Sequence, residues 1–150
     1  MTTPTLTSPT TEPTAAATDH PIVFIDGQCV LCENSMQRIY RHDSRGLFRF
    51  APLQGPTAAR LLAGRSQEEL LQGVVLHEKQ RILQGYPAVL RIAVLLYPVL
   101  APFMALLRLP GLFHLGRAVY GLIARNRYRW FGEKNSCMMP GGDIRARLLD

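Results

Sequence analysis

The sequence predicts an α/β domain whose elements run β-α-β-α-β-β-α, followed by additional C-terminal helices. Three observations carry that expectation. A short apolar run, Ile22-Val23-Phe24-Ile25, gives way across Asp26-Gly27 to apolar residues at helical spacing. Two further runs of strand type flank the polar pair Lys79-Gln80. Beyond them, helical spacing returns twice, interrupted at Pro98, Pro102 and Pro110-Gly111.

At 150 residues the chain suits one domain and a tail, and its 47% apolar and 19% charged residues are those of a protein with a core. Residues 1–20 are rich in Thr, Pro and Ala and lack apolar periodicity, so they read as a disordered leader, with the ordered domain over 21–150. They also lack the order of basic, apolar and small-residue segments that marks a signal peptide. Three cysteines are too few for a disulfide scaffold, and together these features favour a reducing, cytoplasmic setting.

Ile22-Val23-Phe24-Ile25 is unbroken and β-branched, as a central strand buried on both faces should be. Cys32, Met36, Ile39 and Tyr40 then share one helical face, with Arg41 and His42 in the last turn and Gly46 as the stop. Phe48-Arg49-Phe50-Ala51-Pro52 predicts a second strand with both phenylalanines on one face. A short helix follows over 56–63, and Ser66-Gln67-Glu68-Glu69 forms a capping box ahead of Leu70.

Residues 74–78 and 81–84 predict a hairpin, although Lys79-Gln80 lacks the favoured Asn-Gly chemistry. A helix over 88–97 comes next. The nearly all-apolar stretch 92–107 approaches the length of a membrane span when joined to 88–91, but Arg91, Pro98 and Pro102 favour two buried or partly amphipathic helices. Leu115, Val119, Leu122 and Ile123 predict a final long helix to about residue 131. Cys137 falls in the tail as an idle or accessory thiol, Pro140-Gly141-Gly142 is a further break, and one turn of helix is expected at the end.

The chemistry lies at Cys29 and Cys32. Two cysteines three apart at a helix start can bond without bending the backbone, and the first meets free N–H groups and the positive end of the helix dipole. Cys29 is therefore expected as the exposed attacking thiolate and Cys32 as the more buried resolving thiol. Asp26, at the strand end, is placed to accept or return a proton, the plainer reading being a turn or N-cap residue. Zinc is the rival use of the pair. It wants four ligands, and only Cys137 with one of His20, His42, His77 or His114 could complete the set, so neither metal nor cofactor is expected.

The net charge of +6 raises the question of an anionic partner. Arg125-Asn126-Arg127-Tyr128-Arg129-Trp130 alternates cations with aromatics, as a nucleic-acid strand would require. On a helix such arginines fan around the axis, which favours a solvated helix end with Tyr128 and Trp130 packed inward. A patch receiving an acidic partner over the cysteines is the alternative.

Asp26-Gly27-Gln28-Cys29-Val30-Leu31-Cys32 resembles the motif of the DCC family of predicted thiol-disulfide oxidoreductases, named for an Asp and two Cys in this arrangement. The resemblance extends over about residues 21–148, through Phe48-Arg49-Phe50-Ala51-Pro52-Leu53-Gln54, Ala88-Val89-Leu90, 124–132 and Cys137 before Pro140. It implies a thioredoxin-like fold with extra C-terminal helices and a redox role for Cys29 and Cys32. The partner would be a protein or a low-molecular-weight thiol or disulfide. The sequence departs at Gln72-Gly73, where thioredoxin-type enzymes place a cis-proline before the third strand, and at Tyr86-Pro87, where a small polar residue is expected before Ala88. A non-enzymatic binding or zinc module, in contact with a membrane through 88–107, is the competing reading.

Overall fold

The structure, a computed structural model, describes residues 20–132 and 142–149. The expected leader, apart from His20, and Cys137 lie outside the described residues. His20 itself donates from Nδ1 to the Leu47 carbonyl at 3.1 Å.

Four strands form one mixed sheet in the order β2-β1-β3-β4. β1 (Ile22–Ile25) runs parallel to β2 (Arg49–Pro52) and antiparallel to β3 (Val75–Glu78), which pairs antiparallel with β4 (Arg81–Gln84). The parallel pair needs a crossover, and α1 (Val30–His42) provides it. β1 is central for the reason its sequence gives: consecutive side chains Val23 and Phe24 point to opposite faces and neither is exposed. Phe24 joins Ile22, Leu53, Leu62 and Leu70 on the face covered by α2 (Pro56–Leu61) and α3 (Gln67–Leu70). Val23 joins Met36, Phe48, Phe50 and Ile92 on the face covered by α1 and α4 (Tyr86–Leu96).

Local chemistry sets the element ends. α1 stops at Asp43, ahead of Gly46, because the Asp43 carboxylate accepts from the backbone N–H groups of Leu47 and Phe48 at 3.0 and 2.9 Å and turns the chain into β2. The Ser66/Glu69 capping box forms in both directions. Lys79 and Gln80 adopt left-handed backbone, φ 45° and 66°, so strand pairing imposes the turn geometry that Asn-Gly would have supplied without strain.

The apolar stretch after α4 departs from expectation. A 3-10 turn (Pro98–Leu100), α5 (Ala101–Leu106) and α6 (Pro110–Phe131) follow it. α4 buries Ala88, Leu90 and Ile92, but α5 buries no residue, and Val99 and Phe103 are 82% and 54% exposed. The prolines turn the chain off the sheet before a second helix can pack there. Among the described residues no single helix is long and apolar enough to cross a membrane, and the pair 98–106 and 110–131 bends by 102°.

The mixed sheet with helices on both faces and a helical C-terminal extension agrees with a thioredoxin-like α/β fold. A closing 3-10 segment (Gly142–Arg147) returns the chain to the sheet, where Leu149 N–H donates to the Phe50 carbonyl at 2.9 Å. Arg147 reaches Asp43 at 3.0 Å and secures that return.

Candidate functional site

The turn after β1 builds the site. Asp26, 2% exposed, uses Oδ1 to accept from the Gln28 N–H at 3.0 Å and from Gln54 Nε2 at 3.4 Å. The first contact fixes the turn that delivers Cys29 to the helix start. Cys29 is the N-cap of α1, with extended φ −94° and ψ 117°, and its carbonyl already accepts from Glu33 N–H at 3.1 Å. The first-turn N–H groups of Leu31 and Cys32 are thereby free to meet its sulfur.

Electrostatics divides the two thiols sharply. The Cys29 thiol is pulled from 9.0 to about 6, chiefly by a hydrogen bond from the Cys32 thiol, against the opposing effect of burial, and further by the Cys32 and Leu31 N–H groups and the Arg127 charge. Cys32 is pushed strongly the other way. Its proton is held by that same bond, by burial and by the negative charge on Cys29, with Arg127 opposing. One proton shared between two sulfurs leaves Cys29 as the thiolate and Cys32 as its donor.

Exposure reverses the expected order. Cys29 is 1% exposed, whereas Cys32 is partly exposed and lines a cavity of about 850 Å³ between α1, α4 and α6. The N-cap sulfur is drawn onto the helix amides and away from solvent, while the residue a turn later projects into the apolar gap between helices. Asp26 and Arg127 share the cavity wall with Cys32, and Leu31, Val89 and Ile123 contribute apolar walls. The volume is that of a small-molecule site.

Sequence reasoning missed Arg127. It comes from α6, 95 positions after Cys32, is 4% exposed, and donates from Nη1 to Cys32 Sγ at 3.9 Å. Nη2 lies 3.4 Å from Asp26 Oδ2 and donates to Tyr128 Oη at 3.1 Å and to the Leu71 carbonyl. Tyr128 in turn donates to Asp26 Oδ2, and burial with that bond holds its hydroxyl proton up to about 12. Arg127 Nε–H has no partner among the described residues. Tyr128 thus turns inward as expected, but Trp130 is 55% exposed, and the inward cation was not anticipated. The alternation of arginines does fan them around the axis, leaving Arg125 and Arg129 exposed and sending Arg127 in. Nothing in the spacing singles out Arg127; the alternation of cations and aromatics and the resemblance over 124–132 pointed only to the segment.

The placing of α6 depends on two close approaches. Gly116 lets the Tyr86 ring of α4 sit where a Cβ would be, at 2.3 Å, and Tyr120 Oη accepts from the Val74 N–H at 2.9 Å beside Gly73. Tyr120 and Arg127 are seven apart and share a helix face, so docking the first delivers the second. This contact also fills the Gln72-Gly73 position before β3. Among the described residues no three His, Cys, Asp or Glu converge as a metal site.

A profile of the DCC1-like thiol-disulfide oxidoreductase family matches residues 23–133. The chain is 31% identical over 139 residues to the uncharacterized protein YuxK of Bacillus subtilis (strain 168), covering 85% of this chain and 93% of that protein. It is 34% identical over 122 residues to a chloroplastic DCC family protein of Arabidopsis thaliana, covering 78% of this chain and 68% of that protein. No solved structure matches the chain.

Proposed function

This chain belongs to the DCC1-like thiol-disulfide oxidoreductase family, and from that premise we propose that Cys29 and Cys32 cycle between dithiol and disulfide while exchanging with a thiol partner. The observation that carries this reading is the division of labour within the pair: Cys29 is the stabilised thiolate, and Cys32 is the sulfur facing the cavity.

Exchange needs a sulfur that can be reached and a leaving group that carries negative charge well. In the disulfide form, attack at Cys32 meets both needs together. A partner thiolate bonds to Cys32 Sγ, the Cys29–Cys32 bond breaks, and its electron pair leaves on Cys29. A second partner thiolate then attacks the partner's sulfur, forming the partner disulfide and releasing Cys32, which takes up a proton. The partner has been oxidised and the pair reduced, and the reverse sequence reduces a partner disulfide.

Arg127 steadies the charge as it moves between the sulfurs, and Asp26 and Tyr128 hold the guanidinium in place. Asp26 also fits the role of accepting or returning the Cys32 proton, since both line one cavity and its charge raises Cys32's hold on that proton. The apolar cavity suits a low-molecular-weight disulfide or one extended side chain of a protein partner. The setting we propose is reducing and cytoplasmic, a reading supported by the low cysteine count and the composition of the N-terminal segment.

The test has two parts. Equilibration with a graded glutathione series should convert two thiols to a Cys29–Cys32 bond reversibly, as followed by alkylation and peptide mapping. Challenged with a partner disulfide, Cys29→Ser should accumulate a mixed disulfide at Cys32, because in the partner-reducing direction Cys29 is the sulfur that displaces the partner. A thiol count that stays constant across the series contradicts the proposal.

A further inference from the structure

An extended apolar surface runs along the C-terminal helices, and nothing among the described residues covers it. Val99, Phe103 and Leu106 are exposed at helical spacing on the 3-10 turn and α5. On α6, Leu112, Leu115, Val119, Leu122, Ile123 and Trp130 are all exposed, and at about 100° per residue they fall within roughly a 100° arc. Tyr120 and Arg127, which dock the helix onto the sheet, occupy the neighbouring arc. A contiguous surface of this kind marks an interaction site in a soluble fold.

Its charge identifies the partner. From residue 79 to residue 132 the sequence has eight Lys or Arg and no Asp or Glu. Arg125 and Arg129 are exposed along the flank of the α6 stripe, and Arg108 is exposed between α5 and α6. We propose that this face docks on the anionic lipid surface of a membrane, with α6 lying in the interfacial plane. Basic residues beside an apolar stripe meet lipid phosphates while the stripe enters the acyl boundary, and Trp130 belongs at the headgroup level. A second copy of the chain would bring the same cations face to face with no carboxylate between 79 and 132 to pair them. Spanning is excluded for the described helices taken singly by length and composition, and the bent pair has its second member packed on the domain. Ile123 and Phe131 are exposed and also line the cavity, so the docked helix would set the cavity mouth beside the lipid.

Trp130 is the only tryptophan in the chain and reports docking directly. Full-length protein should float with vesicles of phosphatidylcholine mixed with phosphatidylglycerol, with a blue shift of Trp130 emission that salt weakens. It should bind phosphatidylcholine alone far less. Lipids brominated along their chains should quench Trp130 in the unaltered protein. Leu115→Gln with Leu122→Gln, both at exposed positions, should weaken binding roughly tenfold or more. Unchanged emission without flotation overturns the proposal. So does equal binding to both vesicle types, or a reversible dimer that the double variant dissolves in a protein that ignores vesicles.

Discussion

Arg127 Nη2 and Asp26 Oδ2 lie 3.4 Å apart across 101 residues of sequence, with side chains only 5% and 1% exposed. The pair joins the turn that presents the cysteines to the helix that closes the cavity over them. Burying both charges is costly, and removing one partner strands the other.

Arg127→Met should therefore destabilise the protein by about 3–5 kcal/mol in denaturant unfolding, because Asp26 is left buried without its cation. Adding Asp26→Asn should recover part of the loss. The single variant should also raise the Cys29 pKa, since the Arg127 charge is among the causes that lower it.

The cysteines predict a pH dependence of stability with a maximum. Cys29 titrates at about 6 folded and near 9.0 unfolded, so between those values the unfolded chain binds the extra proton and reduced protein gains stability as pH rises. Its contribution is complete above 9.0 and lost as pH falls toward 6. Cys32 is shifted upward, so its contribution is full below 9.0 and lost above it. Unfolding free energies of reduced protein should peak near pH 9 relative to a Cys29→Ser, Cys32→Ser control.

Tyr128→Phe removes the hydroxyl that donates to Asp26 and accepts from Arg127. A cost of about 1–2 kcal/mol is expected in denaturant melts, with a slower thiol-disulfide exchange rate at unchanged thiol count.

Gly116→Ala places a methyl group against the Tyr86 ring, where the Cβ position lies 2.3 Å from the nearest ring atom. The Tyr86 ring must then swing aside or α6 move off α4. Destabilisation of about 1–3 kcal/mol is expected, with faster amide exchange at Val74, whose N–H is held by Tyr120.

Much of this was legible in the sequence where physics is local. The apolar run at β1, the face shared by Phe48 and Phe50, the Ser66 capping box and the extent of α6 all follow from periodicity and end chemistry. The position of Cys29 at the N-cap of a helix follows likewise from the change of spacing after Asp26-Gly27. What the sequence hid depends on distant contacts. Arg127 looks like any arginine on a basic helix until Tyr120 and Gly116 seat that helix, and the exposure of Cys32 is set by the gap between α1, α4 and α6. The sequence predicts a buried or partly amphipathic helix at α5, but composition does not reveal which direction Pro98 and Pro102 turn the chain.

The central claim is that the Cys32 thiol, the helix amides and Arg127 together ionise Cys29 near neutral pH. Ultraviolet absorbance of the thiolate, followed against pH in reduced protein and subtracted from Cys29→Ser, tests it most directly. The account predicts an inflection near 6 that moves upward in Arg127→Met. A single inflection near 9.0 in the unaltered protein would contradict it.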